Sequence, residues 1–423
     1  MTQVEALSMN KIWTRAIIPL IALILIVMML IYPSASWEAG VRGLAIWWDV
    51  LFPSLFPFFV ISELMLGFGI VHFIGKLLDP LMQPLFRIPG TGGFVAAMSF
   101  ASGYPVSAKL TTKLRRQLLI GREEGERLVA FTTTSDPIFL IGAVSVGFFG
   151  NPKLAGALAL VHYGSAIIVG LIMRFYGTKQ STDKSAGSTS KKPSEASFSI
   201  RLALRAMHEA RLVDGRSLGE LLRHAVTSSL QLMVVVGGLV VFFSVILEVL
   251  TAANVMSFFY STVQGMLAIL HLPPELAQAF VGGTFEVTLG AKASAAPADV
   301  PLMFKAAAAA FILSWGGLSV HAQVASILND ADLRYLPFFF ARLIHAFLAA
   351  ALMLLAWKPL MGASPSFKPL EQPEQLLQRW SEVPSLFIVF VKIVVILLIL
   401  SLLARIIQQL LSSLPRQKGK PKK

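Results

Sequence analysis

Cysteine is absent from all 423 residues, which excludes disulfide frameworks, cysteine-ligated metals and thiol nucleophiles. Charge is scarce as well: Asp, Glu, Lys and Arg make up 14% of the chain, against roughly a quarter in soluble domains. The acidic residues are the scarcer sign, 23 against 36 basic, giving a formal net charge of +13. No HExxH zinc motif and no GxxxxGK[ST] phosphate loop occurs, so zinc hydrolysis and intrinsic ATP driving have no sequence support. Gly362-Ala363-Ser364-Pro365 lacks the strand-turn-helix context of a serine nucleophile. What fills the chain instead is apolar: 55% hydrophobic residues and a mean hydropathy of +0.71. That composition belongs to a membrane protein rather than to a soluble or disordered one.

About 20 apolar residues are needed to cross roughly 30 Å of hydrocarbon. Runs of that kind predict spans near Ile17 to Tyr32, then 41 to 71, 128 to 149, 153 to 175, 225 to 250, 303 to 327, 335 to 357 and 385 to 411. The first, behind Lys11 and Arg15 and ahead of Ser34-Ala35-Ser36, has the outline of a signal peptide. Its longer apolar run favours an uncleaved anchor over residues 1–40. Two further segments, about 90 to 108 and 276 to 296, are too rich in Gly, Ser, Pro and Thr for lipid-facing helices. They read as re-entrant hairpins, because irregular backbone at membrane depth must be buried in protein or line a cavity.

Orientation follows from the basic residues. Between Tyr176 and His224 there are nine Lys or Arg against five acids, while Thr251 to Glu275 contains neither Lys nor Arg. The first stretch therefore belongs inside and the second outside, with both termini cytoplasmic in a multi-pass cell membrane protein. This placement accounts for the basic charge by topology, with no nucleic acid partner. Residues 177–224 combine a flexible Ser-rich linker with an amphipathic stretch carrying Arg201, Arg205, Arg211 and Arg216, suited to the membrane surface. They separate a first repeat at 41–176 from a second at 225–358. An outer loop at 359–384 and a final helix with a basic tail at 385–423 follow.

Both halves contain the same parts in the same order: a span, a connector, a Gly-rich hairpin, an interrupted span and a last span. The first hairpin holds Gly92-Gly93-Phe94 and Ser102-Gly103-Tyr104-Pro105-Val106-Ser107-Ala108-Lys109; the second holds Gly282-Gly283-Thr284-Phe285-Glu286-Val287-Thr288-Leu289-Gly290-Ala291-Lys292. One enters from outside and the other from inside. The expected fold is an all-α polytopic membrane protein of about eight transmembrane helices, with two re-entrant hairpins in an inverted repeat. Such repeats with paired interruptions point to a secondary transporter whose site lies at the midplane.

The residues able to carry chemistry cluster at the interruptions. Thr134-Ser135-Asp136-Pro137 places hydroxyls and a carboxylate where proline breaks the helix. An Asp at helix centre costs about 2.5 to 3.5 kcal/mol on insertion scales, so it should face a cavity or a cation, with Lys109 and Lys292 as candidates. Ser314-Trp315-Gly316-Gly317-Leu318-Ser319 is the counterpart, where adjacent glycines permit close backbone approach and Trp315 offers a flat face. Glu286 is the other intramembrane carboxylate, able to hold a proton or cation or to neutralise Lys292. The candidate substrate-binding set is thus Ser102, Gly103, Tyr104, Ser107, Lys109, Thr134, Ser135, Asp136, Gly283, Thr284, Glu286, Thr288, Lys292, Ser314, Trp315 and Ser319. His321, Arg342 and His345 read as polar residues of the bundle. No cofactor, resident metal or catalytic residue is expected, and the coupling ion, proton or sodium, is left open.

At Phe52-Pro53-Ser54-Leu55-Phe56-Pro57-Phe58, the Gly90 to Lys109 hairpin and Thr134-Ser135-Asp136-Pro137, the chain resembles the sporulation integral membrane protein YlbJ family, whose members carry nucleoside-recognition, or Gate, domains. The resemblance runs from about Trp47 to Trp357. It implies a transporter, not an enzyme, that moves dipicolinic acid across the mother-cell membrane during endospore formation. Nucleoside transport is the alternative substrate reading. A gate or scaffold subunit that needs a partner is the alternative class. Expected partners are the small substrate, membrane lipids, a second copy of the chain or other sporulation membrane proteins.

Overall fold

The computed structural model describes residues 19–177 and 199–362, and every regular element among them is helical. Four runs are long and apolar enough to cross a bilayer: Leu154–Met173, Leu218–Ala252, Leu302–Asn329 and Tyr335–Leu355. Two bent pairs raise that number to six, Pro19–Ile31 with Pro33–Leu51 at 102°, and Leu55–Gly67 with Ile70–Phe86 at 70°. The chain is an integral membrane protein built from these apolar helices. The expected eighth span, 385 to 411, lies outside the described residues.

The bends have local causes. Pro33, at the start of its helix, has no N–H to continue the preceding one. The second bend turns at Gly69, whose φ of 75° lies in the left-handed region, and a Cβ there would come within 2.5 Å of the Met207 carbonyl oxygen. The single span expected over 41 to 71 is therefore replaced by Pro33–Ala45, a π-helical turn Ile46–Leu51 and Phe52–Gly67. Likewise, the span expected over 128 to 149 is two pieces, Arg122–Thr132 and a π-helix Phe139–Phe148, separated by non-helical Thr133 to Ser135 and Asp136.

Leu218–Ala252 begins inside the stretch read as linker, because Ser217 and Glu220 form a reciprocal capping box that satisfies two free amides at the helix start. At 35 residues it is about 52 Å long, well beyond a bilayer's hydrocarbon. The amphipathic stretch forms the helix Ile200–Asp214, started by the Ser199 hydroxyl and ended at Gly215 with φ 63°. It packs on Ile70–Phe86.

One buried apolar cluster unites Leu51, Leu140, Leu158, Ala279, Leu313 and Met353. Residues from both halves of the chain thus share a core, and that core holds the broken helices against one another.

Candidate substrate site at the crossing of interrupted helices

Four helix interruptions build the site. The first hairpin consists of Thr91–Ser102 and Tyr104–Arg116, turning at Gly103. The second consists of Ala277–Phe285 and Val287–Ala295, turning at Glu286. Each nine-residue arm of the second is about 13 Å long, less than half the hydrocarbon thickness. Its arms touch through glycine: a Cβ on Gly290 would come within 2.3 Å of the Gly283 Cα. The other two interruptions are Thr133 to Asp136, and Gly316 between Leu302–Trp315 and Gly317–Asn329.

The turns meet the breaks in pairs. A Cβ on Gly103 would lie 3.3 Å from Asp136 Oδ2, and one on Gly317 would lie 3.1 Å from the Glu286 Cα. The Tyr104 hydroxyl of the first hairpin joins the pairs by donating to the Leu313 carbonyl at 2.7 Å, and within the second pair Trp315 Nε1 donates to the Thr284 carbonyl at 3.4 Å. Ser107 and Thr132 hydroxyls lie 2.6 Å apart, and the Thr133 hydroxyl donates to Ser107 Oγ at 3.1 Å.

Asp136 and Glu286 are both helix caps. Asp136 Oδ1 accepts from the Ile138 and Phe139 amides at 3.0 and 2.8 Å. Glu286 accepts from the Leu289 amide at 2.9 Å and from the Thr288 hydroxyl at 3.2 Å. Each thus places negative charge at a positive helix end. The other two half-helices, Tyr104–Arg116 and Gly317–Asn329, start on glycine with no side-chain cap, so each crossing pairs one capped N-terminus with one open one.

Thr134, Ser135 and Ser314 are fully buried, Ser319 and Trp315 nearly so, and Ser102 partly. Thr134 Oγ1 has no hydrogen-bond partner, while the Ser135 side chain lies against the Tyr104 hydroxyl. Thr284 is exposed, its hydroxyl turned back to the Phe280 carbonyl. Lys109 and Lys292 are exposed, and among the described residues neither pairs with Asp136 or Glu286. A cavity of about 690 Å³ lined by Met29, Leu44, Val241 and Phe242 lies elsewhere, between the first helix and Leu218–Ala252.

Two features were not legible beforehand. His162, fully buried in Leu154–Met173, accepts the Ser135 amide at Nε2 (3.1 Å) and meets the Ser314 hydroxyl at Nδ1 (2.9 Å), so one imidazole bridges both breaks. Its neutral form must then carry the proton on Nδ1. The neighbouring Tyr163 hydroxyl donates to the Ser135 carbonyl at 2.9 Å. Arg342 and His345, expected in the bundle, also converge here: His345 Nε2 lies 2.9 Å from the His162 carbonyl, and Arg342 Nη1 lies 2.9 Å from His345 Nδ1. His321 lies beside them, with Nε2 3.2 Å from the Trp315 carbonyl.

Known proteins place this geometry in a family. Residues 49–151, which hold the first hairpin and the first break, match the family model Gate, described as nucleoside recognition. Over 335 residues the chain is 48% identical to sporulation integral membrane protein YlbJ of Bacillus subtilis (strain 168), spanning 78% of this chain and 80% of that one. The chain belongs to the YlbJ family. An uncharacterised protein of Alkalihalophilus pseudofirmus is 28% identical over 144 residues, covering 33% of this chain and 29% of its own. A solved structure of CNTnw in an inward-facing substrate-bound state aligns over 80% of this chain and 86% of its own, at 12% identity and a TM-score of 0.39. The second hairpin and the break at Gly316 lie outside the Gate match, so this YlbJ-family chain builds its site from matched and unmatched halves together.

Proposed function

We propose that this YlbJ-family protein is a secondary transporter for a small aromatic carboxylate, dipicolinic acid, in the membrane of a spore-forming mother cell. The reading treats residues 41–176 and 225–358 as inverted repeats, each contributing a hairpin and an interrupted span, with an eighth span at 385–411 and both termini cytoplasmic. The observation that carries it is the meeting of four helix interruptions around Ser135 and Thr134, where the buried Thr134 hydroxyl lacks a partner. An unsatisfied buried polar group costs about 1 to 3 kcal/mol, a cost that a bound ligand offering acceptors or donors removes. Broken helices at membrane depth are the setting in which transporters hold their substrates.

Dipicolinate suits such a place. Its two carboxylates match the two half-helix N-termini that lack side-chain caps, at Tyr104 and Gly317, and its ring matches the Tyr104 and Trp315 faces. The similarity of residues 49–151 to a nucleoside-recognition model favours a second reading, nucleoside transport, through the same hydroxyls and rings.

Purified protein in liposomes should take up labelled dipicolinate without ATP, and unlabelled dipicolinate analogues should block that uptake while uridine does not. Block by uridine moves the assignment to nucleosides. No flux under imposed pH or sodium gradients overturns the transporter reading for the isolated chain in favour of a partner-dependent gate subunit.

A further inference from the structure

Arg342 is the largest fully buried side chain among the described residues, and no carboxylate there forms an ion pair with it. Its guanidinium stays protonated in proteins, so a whole positive charge sits inside the bundle. What surrounds it is mainly backbone oxygen, with the Tyr104 ring 5.9 Å from its guanidinium carbon. Nη1 donates to the Thr133 carbonyl, Nη2 to Leu313 at 3.3 Å and Nε to Trp315 at 3.4 Å. The other side chains against it are neutral, His345 through Nδ1 and Tyr104.

Those three carbonyls have one origin. Thr133 caps the C-terminus of Arg122–Thr132, and Leu313 and Trp315 lie in the last turn of Leu302–Trp315. Both helices stop there, so their final carbonyls have no amide further along the helix to accept from. A helix C-terminus also carries roughly half a negative charge. Two such ends aimed at one guanidinium offset about one positive charge, which explains how Arg342 is tolerated without an acid. Asp136 and Glu286 remain free to cap the opposite kind of helix end, as they do.

In secondary transporters, unwound carbonyls and half-helix C-termini are the groups that coordinate a coupling cation. Here the corresponding carbonyls, drawn from both interrupted helices, hold a side chain anchored on a third helix, Tyr335–Leu355. We propose that Arg342 is a tethered cation standing where a dissociable alkali ion would otherwise bind, so that the site assembles and moves substrate without sodium or potassium. Arg342 acts as a positioning residue: it fixes the two breaks relative to each other and backs the Tyr104 ring. The flux part of this inference rests on the transporter reading above; the cation-site part does not.

The test has three arms. Wild-type liposomes with every alkali ion replaced by choline should show unchanged dipicolinate flux, whereas a fall of about tenfold or more, the scale of one lost charge-assisted hydrogen bond, overturns the proposal. Arg342→Ala should lose flux in choline and regain part of it in millimolar guanidinium or in sodium; full flux in choline alone, or no regain with either cation in folded protein, overturns it. If no protein transports anything, the transporter reading fails by itself, and thermal unfolding in detergent decides the cation site. Guanidinium should then raise the midpoint of Arg342→Ala and leave wild type unmoved, and a midpoint that does not respond overturns the proposal. Should Arg342→Ala fail to fold, Arg342→Lys keeps the charge and should keep alkali-independent flux; sodium-dependent flux in that variant counts against a tethered cation.

Discussion

Gly103 holds φ 82° and ψ −168°, a backbone region open in practice to glycine alone, and a Cβ there would lie 3.3 Å from Asp136. Two constraints therefore fall on one residue. Gly103→Ala should cost about 1 to 3 kcal/mol and push the first hairpin away from the break, seen as a lowered unfolding midpoint together with lost flux. A midpoint equal to wild type would show that the turn relaxes freely. The segment Ser102 to Lys109 stood out in the sequence because Gly-Tyr-Pro cannot be ordinary lipid-facing helix. His162 did not, because a lone histidine in an apolar run carries no periodic signal. Only the fold places an amide from one break and a hydroxyl from the other at its two nitrogens. Lys109, a candidate partner for Asp136 in the sequence, forms no ion pair with it among the described residues. Charge near a hairpin invites a partner in one dimension, while three dimensions leave the side chain exposed.

At the scale of elements, the interrupted spans are fastened a second time near their ends. Glu126, on the helix that leads into the first break, receives Arg334 through Nε and Nη2 at 2.8 Å each, the Arg334 amide at 2.9 Å and the Tyr176 hydroxyl at 2.9 Å. Arg334 precedes the helix that carries Arg342. Arg116 with Asp330 at 3.4 Å and Arg122 with Asp332 at 3.6 Å extend the contact, but both aspartates are largely exposed, so the pairs are worth little. Replacing Glu126 with Ala strands several donors and should cost about 2 kcal/mol, reduced because the Arg334 side chain is half exposed. Thermal unfolding checks this, with Asp330→Ala as the comparison expected to change the midpoint hardly at all. Equal effects in the two variants would deny Glu126 its special place. Interruption of the span near 133 was legible from Asp136-Pro137. The bends at Pro33 and Gly69, and the helix start after Ser217, have local causes that a reading by hydropathy alone passes over; which neighbours receive the turned chain required the fold.

For the molecule as a whole, the lack of cysteine makes every introduced thiol the sole reporter in its chain. Ser135→Cys should react slowly with a small methanethiosulfonate reagent and more slowly still with dipicolinate present. Lys109→Cys, on an exposed position, should react quickly with or without ligand. Protection at both sites, or at neither, would remove the four-way crossing from substrate binding.

Composition and hydropathy by themselves determined that the chain is helical and lies in a membrane, because about 30 Å of hydrocarbon admits few other ways to satisfy a backbone. Local chemistry also determined where helices break, since glycine and proline act through their own dihedral angles. The tertiary structure alone decided what meets at those breaks. Pairing Asp136 and Glu286 with helix N-termini, and Arg342 with helix C-termini, depends on helix ends distant in sequence converging, and the free energy of that arrangement comes from dipoles whose relative orientation a linear chain does not record.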